Sequence, residues 1–455
     1  MKYFVIFSLF LSLNVQAAQM PSLDMISNAG QFTQNCEDHK CLSLKDAVDL
    51  SKKNSFENRV DAIRVYQARQ FIKVRVGQLL PSSNLRIAYP LEWFDFIPNL
   101  VGFLFPSNWF RLKESKLHAK ASEQSYFTLV SNQVNSTESL FYNIHRELVN
   151  FQVYKNHWDY LQKLTTLMIE RELQGELAPE EVERAKIYLG EVSINKISLE
   201  NSFSELYASL GYAIDLPNDW DGYQIKKLGL PDLSEIVPID FDSFIDQILE
   251  NSYELKALGF LKKAAKYSKR ARAFEFLTPD SDTESAFGFG YISNINIGKA
   301  DEEIVKIQTE MMNANLKEAL YKTVANYNTS LQIYDEANKA LDSVGYVLES
   351  YMEDFSINSR IEFEGLKDLL EDNIHFQWTR NYAVHGYLLA KANLERLLLS
   401  SEFYKDLDTL LPSKKKGKLR CYQRMENRRI KKAIEKGELD GKDIKFTKKE
   451  TKWCL

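Results

Sequence analysis

The residues best placed to do chemistry form a charged row in the second half of the chain. Arg360 and Glu364 are four positions apart, and Lys367 and Asp368 follow within one further turn. On a helix, side chains three or four positions apart share one face and interact. This spacing favours an electrostatic role, and the simplest interpretation is a surface ion pair between Arg360 and Glu364.

Motifs for catalysis are missing from the sequence. The six histidines are scattered, and His375 and His385 in the last predicted helix are typical of core or groove residues rather than ligands. No nucleophile elbow, phosphate-binding loop or HExxH pattern occurs, and Gly288-Phe-Gly290 is an isolated GxG. The sequence therefore predicts a protein that is not an enzyme and that needs no cofactor and no metal.

The N-terminus has the pattern of an export signal. Lys2 precedes an apolar run from Tyr3 to Leu13, and Val15-Gln16-Ala17 places small residues before a cut after Ala17. The apolar run is too short to cross a bilayer of about 30 Å, which needs about 20 residues. A cleaved signal peptide, residues 1–17, is therefore favoured over a permanent anchor.

Four cysteines in an exported chain indicate disulfide bonds. Cys36 and Cys41 precede the first predicted helix, whereas Cys421 and Cys454 lie in the C-terminal tail. Pairing within each of these two local sets is favoured, and cross-pairing between the tail and the N-terminus is the second choice. A zinc site formed by Cys36, His39, Cys41 and a tail cysteine is the weaker alternative, because it lacks the paired CxxC spacing.

Composition indicates long helices. The chain has 455 residues with 58 Lys+Arg and 63 Asp+Glu, a net charge of -5, which excludes a globally basic nucleic-acid binder. Hydrophobic residues make up 44%, so a largely disordered chain is excluded as well. Only 18 glycines and 11 prolines are present, and so few turn formers in so long a chain predict a mainly α fold.

An internal repeat divides the chain. Asn54-Ser-Phe-Glu57 recurs as Asn251-Ser-Tyr-Glu254, an offset of 251 minus 54, or 197 residues. The predicted organisation after the signal peptide is an N-terminal segment with the first cysteine pair, a first copy, a linker, a second copy and a tail: 18–43, 44–211, 212–240, 241–411 and 412–455. The tail holds 16 Lys+Arg against 6 Asp+Glu. It is either a solvated tail or a contact for an acidic partner, lipid headgroups or an anionic wall polymer.

Each copy has the same predicted order of elements: a leading helix, a strand pair, a very long helix, a turn and a return helix. In the first copy the leading helix is 44–79, the strand pair 82–110, the long helix 111–173 and the return helix 179–210. In the second copy the same four elements are 241–277, about 271–298, 301–355 and 363–399. The long helices would extend roughly 80 to 95 Å. The other helices are half as long, which predicts a wall in which full-length helices alternate with half-length pairs.

The strand segments are short. They include Leu85–Tyr89, Leu100–Phe105 and Ala286–Ile292, which are rich in aromatic and β-branched residues. A membrane strand needs about 9 to 11 residues, and the second copy barely holds two. Residues 271–278 would then be recruited as a strand, or the barrel would be shortened or absent.

These motifs and their order resemble the TolC-like outer membrane efflux protein family. The similar segments are the leading helix with Lys53–Glu57, the segment Gln78–Pro81, the first turn Gly175–Ala185 and the second turn Phe355–Glu364 with Leu366. The resemblance extends from about Leu42 to Leu399, and its specificity comes from the order and duplication of loose motifs.

The resemblance implies long antiparallel coiled-coil helices that form a periplasmic α-barrel, with each repeat adding a strand pair to a trimeric outer-membrane β-barrel. The implied function is an outer membrane exit duct of a tripartite efflux or type I secretion system. The implied partners are two further copies, a periplasmic adaptor, an inner-membrane pump and outer membrane lipids, with no nucleic acid. The alternative is a periplasmic coiled-coil scaffold with a reduced or lost barrel.

The resemblance also assigns site residues. It places the pore constriction and its gate at Arg360, Glu364, Lys367 and Asp368, although a family acid is replaced by Lys367 and the turn glycine by Asn358. It places adaptor contacts at the two helical tips, at Gly175, Glu181, Asn358 and Ser359.

Overall fold

The computed structural model describes residues 21–27, 40–80, 102–215, 223–277, 289–357 and 362–399, and every structural statement below concerns these ranges. They are almost entirely helical, with two strands of three residues each. The predicted mainly α fold with a small β part is confirmed at that level. Residues 1–17 and the basic tail 412–455 lie outside the described ranges.

Two very long helices dominate the structure. Helix α4 spans Pro106–Leu173 and helix α8 spans Phe289–Ile357, with 68 and 69 residues, which corresponds to about 100 Å each. Each is followed by a return helix of 36 residues, α5 (Pro179–Ile214) and α9 (Phe363–Leu398). Pro106 and Pro179 stand in the first turn of their helices, where a missing N–H leaves no bond unmade.

The leading helices are interrupted, so the prediction of continuous helices was wrong. The first is divided into α2 (Leu44–Asn54) and α3 (Phe56–Gly77), and the second into α6 (Asp242–Asn251) and α7 (Tyr253–Ala273). Ser55 has φ -48° and ψ 128°, and Ser252 has φ -49° and ψ 125°, outside the helical region. The two breaks are 252 minus 55, or 197, residues apart, which supports the predicted duplication.

The structure corrects several predicted strand residues. In the first copy 102–104 form a 3-10 turn and 106–110 belong to α4, because Pro106 begins the helix and the Asn108 side chain donates to the Gly102 carbonyl at 2.9 Å. In the second copy 271–273 and 289–298 are helical and 275–277 form a 3-10 turn. The proposed recruitment of 271–278 as a strand is therefore wrong for 271–277. The other strand residues lie outside the described ranges.

The helices form a wall four columns wide. Full-length α4 and α8 are two of the columns. The column between them consists of α7 and α9, which are arranged end to end with α6 between them. On the other side of α4 stands the column of α3, α2 and α5. Full-length helices thus alternate with half-length pairs, as the helix lengths predict.

A small sheet lies near the middle of the wall. Strands β1 (Lys40–Leu42) and β2 (Tyr223–Ile225) pair in parallel, with Leu42 opposite Ile225. Both of these side chains are buried against Phe141 and Ile144 of α4. The segment 212–240, expected to be an irregular linker, therefore contributes a strand and part of the core.

The N-terminal segment also packs onto the wall. The short helix α1 (Asp24–Ser27) lies against α4, and Ile26 is fully buried in the core cluster there. The Gln377 side chain of α9 donates to the Ile26 carbonyl at 2.7 Å. No helix within the described ranges has an apolar stretch long enough to cross a membrane.

Candidate functional site

The tips of the two helical hairpins pack together into one small bundle. Here α4 and α8 end and α5 and α9 begin around a shared apolar cluster that includes Met168, Leu177, Val182, Leu348, Met352, Phe363 and Leu366. The rings of Tyr188 and Phe363 lie 6.3 Å apart across the two hairpins. Any change at this end of the molecule therefore involves both hairpins.

Gly175 makes the turn at the first tip. Its φ is 77°, and its N–H donates to the Glu172 carbonyl while the Glu176 N–H donates to the Arg171 carbonyl, both at 2.9 Å. This pair of bonds is the Schellman arrangement that closes a helix C-terminus through a left-handed residue. A Cβ at Gly175 would meet nothing within 4 Å, so the constraint is on the backbone angle alone.

Glu181 links the two hairpins. Its Oε2 accepts a hydrogen bond of 2.6 Å from the backbone N–H of Phe363, the first residue of α9. A carboxylate there satisfies a free helix N–H and lies favourably in the helix dipole. This tip residue, expected as an adaptor contact, thus already has a partner within the chain. Asn358 and Ser359, the other two expected tip contacts, lie outside the described ranges.

The predicted constriction residues are only partly brought together. Glu364 lies 3.9 Å from Lys367 and 3.4 Å from Arg184 on α5. Lys367 also lies 3.6 Å from Glu371, and these carboxylates, Glu371 before Glu364, raise the pKa of the lysine. Asp368 is exposed, and Arg360 is outside the described ranges.

Sequence reasoning missed Arg184 because it lies in the first copy, 180 residues before Glu364. From the sequence, the expected basic partner of Glu364 is a residue of the same hairpin, because residues close in sequence are the ones that spacing can relate. One feature of the sequence could have indicated Arg184. Both return helices start just after a tip turn, so the residues near their starts lie at the same end of the molecule.

Helices α8 and α9 approach closely at the second tip. The Tyr351 hydroxyl of α8 donates to the Glu362 carbonyl at 2.7 Å. A Cβ on Gly365 would come within 2.8 Å of that hydroxyl oxygen, so glycine is required for this contact. The tyrosine and Glu181 therefore both hold the start of α9 through hydrogen bonds to its backbone.

A row of buried polar side chains runs between α4 and α9, here called the polar seam. On α9 its members are spaced by four residues, and together with those on α4 they are Asn373, Gln377, Asn381, His385, His145, Asn150 and His157. Bonds across the seam join Asn381 to Asn150 at 2.5 Å and His157 to Asn373 at 3.1 Å. Because each bond needs its own register, the seam fixes how α9 lies along α4.

The histidine pair in the seam has a defined proton arrangement. His145 Nε2 accepts from the Leu228 N–H at 3.1 Å, so its Nδ1 carries the proton and donates to His385 Nε2 at 2.9 Å. His385 Nδ1 donates to the Asn381 carbonyl at 2.8 Å. Burial lowers the pKa of His145 to about 3 and of His385 to about 4. Both rings are therefore neutral near pH 7, as core residues rather than ligands.

A groove runs along the outside of this region. It holds about 500 Å³ and is lined by α4 and α5 with Trp378 of α9. Its α5 wall carries small polar side chains, Ser198 and Ser202, and its other wall carries Glu147 and Tyr154. The groove lies between helices and not at the hairpin tips where sequence reasoning placed the adaptor contacts.

The two edges of the wall are rich in exposed apolar side chains. On α5 they are Ile187, Ile194 and Ile197, and on α3 they are Phe56, Val60, Ile63, Phe71 and Val74. On α8, at the other edge, they include Ile304, Ile307, Met311, Tyr321, Tyr346 and Val347. The two edges differ in sequence.

The structure tests the predicted disulfide bonds only at Cys41. Cys41 is not a free thiol, and the other three cysteines lie outside the described ranges, so the pairing stays a prediction. Among the described residues no group of three or more His, Cys, Asp or Glu side chains is placed to hold a metal ion. His39 of the zinc alternative is outside those ranges as well.

Comparisons with known proteins found similar structures but no similar sequence. No family model and no curated protein matches the chain. The outer membrane channel CmeC of Campylobacter jejuni matches with a TM-score of 0.63 at 14% identity, over 84% of this chain and 94% of CmeC. The outer-membrane channel OprN matches with a TM-score of 0.64 at 11% identity, over 84% and 97%.

A further similar structure is CusC, with a TM-score of 0.65 at 10% identity over 81% of this chain and 95% of CusC. The chain thus has the fold of TolC-type outer membrane efflux channels over most of its length. Of the fold that the sequence resemblance implies, the mainly α, TolC-like body is confirmed, whereas the strand pairs and the trimeric barrel stay predictions. These similar structures are channels and not enzymes.

Proposed function

We propose that this protein is the outer membrane exit duct of a tripartite efflux or type I secretion system. The observation that carries the proposal is the match of 81 to 84% of this chain to outer membrane channels, over more than nine tenths of each channel chain. In this proposal the helical wall lies in the periplasm, and a strand pair from each repeat completes a barrel in the outer membrane. The exported substrate is set by the pump.

The proposed duct is a homotrimer closed by unlike edges. An isolated wall exposes apolar rows on α3 and α5 at one edge and on α8 at the other. Joining one edge to the other of the next copy is a heterologous contact, which forms a ring where the rotation closes. Three four-column walls would give a cylinder of twelve columns with no apolar edge left in water.

The proposed gate lies in the tip bundle. Opening a constriction formed by α8 and α9 requires the second hairpin to move away from the first, and the Glu181–Phe363 and Arg184–Glu364 contacts oppose that motion. An exposed ion pair is worth only about 0 to 1 kcal/mol. Threefold repetition of both contacts makes the closed form stable while leaving it reversible. In this proposal Arg360 adds a further contact to the closed form.

The proposed adaptor partner binds near the tips. Exposed helical hairpin ends and the grooves above them suit the insertion of another helical hairpin. In this proposal the groove lined by Ser198, Ser202 and Trp378, farther along α5 from the tip, is a second surface that an adaptor helix could occupy.

Membrane fractionation tests the proposed function. The full chain is expected in the outer membrane fraction as a trimer, and recovery in the soluble periplasmic fraction would favour the scaffold alternative. In planar bilayers Arg360→Ser and Arg184→Ser are expected to raise conductance, and Glu364→Gln to weaken cation preference. Parental conductance in all three variants would place the gate elsewhere.

A further inference from the structure

The end of the wall opposite the hairpin tips carries many exposed apolar side chains. Helices α3 and α7 end here and α4 and α8 begin, as the stacked rings of Phe110 and Phe274, 5.7 Å apart, and the ion pair of Arg111 with Glu275 show. The exposed apolar residues at this end, here called the apolar rim, are Leu80, Phe103, Leu104, Trp109, Leu277 and Ile292.

Basic side chains follow the apolar rim on α7 and α4. Residues 260–273 of α7 contain six Lys and Arg and no Asp or Glu. These six, with three lysines of α4, form the basic collar: Lys262, Lys263, Lys266, Lys269, Arg270, Arg272, Lys113, Lys116 and Lys120. The α7 part spans about three turns, or ~16 Å.

Only part of the basic collar is neutralised within the chain. Lys269 pairs with Glu302 at 2.7 Å and Arg272 with Asp301 at 3.0 Å, both on α8. Lys263 and Arg270 are exposed on α7, and Lys113 is exposed on α4. Among the described residues no carboxylate lies within ion-pair distance of these three cations.

Aromatic rings are interleaved with the unpaired cations. Lys113 and Arg270 both lie over the ring of Tyr267, with the Lys113 Nζ 5.4 Å and the Arg270 Cζ 5.6 Å from its centroid. The Lys120 Nζ lies 5.6 Å from the centroid of Phe260. Aromatic residues with amphipathic rings and long basic side chains are typical of membrane–water interfaces.

This face stays open when copies of the chain assemble. Helix α7 is flanked by α4 on one side and α8 on the other, both from the same chain. Further copies would join at the α3–α5 edge and at the α8 edge, so the exposed side of α7 remains uncovered. Its cations are therefore available to a partner that is not another copy.

We propose that the basic collar binds the phosphate headgroups of anionic lipids at the membrane surface, with the apolar rim at the boundary of the acyl chains. The inference rests on the proposed function for the position of the membrane. Along both α4 and α7, cationic side chains follow the apolar rim within the next few turns away from it. This order matches the order of layers at a lipid surface, where headgroups follow acyl chains. A bilayer surface also matches the extent of the basic collar, which continues across two helices rather than enclosing a pocket.

The test uses the purified full chain in neutral detergent, to which phosphatidylglycerol or phosphatidylcholine is added. Thermal unfolding is followed by circular dichroism. Phosphatidylglycerol is expected to raise the unfolding midpoint by several degrees at low salt, with the shift shrinking at high salt because the attraction is screened. Phosphatidylcholine is expected to leave the midpoint nearly unchanged.

The decisive variant carries Lys113→Gln, Lys263→Gln and Arg270→Gln, which breaks no ion pair of the described residues. The matched control, with Lys53→Gln, Lys155→Gln and Lys391→Gln, removes the same charge from exposed positions away from the basic collar. The collar variant is expected to lose most of the shift, and the control to keep it.

Three outcomes would overturn the proposal: a collar variant that responds like the parent, equal shifts with both lipids, or the same shift from soluble polyphosphate, which would indicate a general anion patch. The measurement in micelles needs no insertion into a bilayer. A chain that fractionates as soluble but shows the lipid shift would therefore contradict the proposed function and leave the lipid site standing.

Discussion

At the scale of single residues, the first tip depends on one backbone angle. Gly175 has φ 77°, and a residue with a Cβ pays a penalty there of roughly 1–2 kcal/mol, more for a β-branched side chain. We expect Gly175→Val to lower the free energy of unfolding by about 2 kcal/mol or more, because valine is β-branched, and to weaken crosslinking to the adaptor.

The control for this prediction is Gly190→Ala in the middle of α5. A Cβ at Gly190 would also meet nothing within 4 Å, but the residue is helical. Alanine favours a helix over glycine, so this variant is expected to be as stable as the parent or more so. Equal stability and crosslinking of Gly175→Val and the parent would show that the turn tolerates a side chain.

A second residue-scale prediction concerns Glu138 on α4. Burial, with the nearby charge of Glu395, raises the pKa of this carboxyl to about 7. In the unfolded chain it titrates near 4.5, so the folded state binds more protons between these values and loses stability as the pH rises towards 7. Glu138→Gln is expected to stay neutral and to unfold at a higher temperature than the parent at pH 8.

The pH series is the check on this prediction. The advantage of Glu138→Gln over the parent should be small at pH 5 and grow up to pH 8, as measured by thermal unfolding. Asp368→Asn, which neutralises an exposed carboxylate, is the control variant. A difference between Glu138→Gln and the parent that does not change with pH would rule out the ionisation as its cause.

At the scale of elements, the polar seam should make the α4–α9 contact acid-sensitive. His145, His157 and His385 are fully buried, and burial lowers each pKa well below the ordinary value of 6.5. The unfolded state takes up protons first as the pH falls below 6.5, so stability decreases from there towards pH 4. Each histidine is expected to contribute up to about 2 kcal/mol of this loss at pH 5.

The double variant His145→Leu with His385→Leu separates this effect from general acid unfolding. It removes two of the three titrating groups, so the unfolding midpoint should fall less steeply between pH 7 and pH 5. Some stability should be lost at pH 7, because the Leu228 N–H loses its acceptor. His375→Leu, at an exposed position, is the control. An unchanged slope in the double variant would contradict the prediction.

The elements that sequence predicted well are those with long periodic patterns. The order of helices, both return helices and the left-handed turn at Gly175 follow from apolar spacing and from the placement of glycine and proline. The breaks at Ser55 and Ser252 were missed because the apolar period continues across them, and only the backbone angles change.

Contacts between the two internal repeats of the chain could not be predicted from one sequence. Glu181 with Phe363, Arg184 with Glu364 and the His145–His385 pair each join residues at least 180 positions apart. No local pattern encodes such a partner, because it is fixed by how the two hairpins pack. The same reason explains why β2 was taken for an irregular linker, since its strand partner among the described residues is β1, about 180 positions earlier.

At the scale of the whole molecule, charge is separated along the wall. The segments 64–77, 106–120, 260–273 and 289–303 near the apolar rim contain 15 Lys+Arg and 4 Asp+Glu. The segments 165–191, 342–354 and 362–372 near the tips contain 4 Lys+Arg and 16 Asp+Glu. A trimer would triple both charges, so the tip end would attract cations and the basic collar would attract anionic lipid.

Assembly itself provides the last prediction. Ile194 is 68% exposed on α5, at an edge of the wall formed by the described residues. If this edge meets α8 of another copy, Ile194→Asp buries a carboxylate in an apolar contact, which is costly without a partner. We expect this variant to shift from trimer to monomer in mild detergent, as measured by light scattering after size exclusion. Val237→Asp is the control for the added charge, since Val237 is 75% exposed and lies in the connecting segment rather than on α5. Because unfolding would also abolish the trimer, the helical signal of the monomer must remain close to that of the parent. A trimeric Ile194→Asp variant would show that this edge does not join the copies.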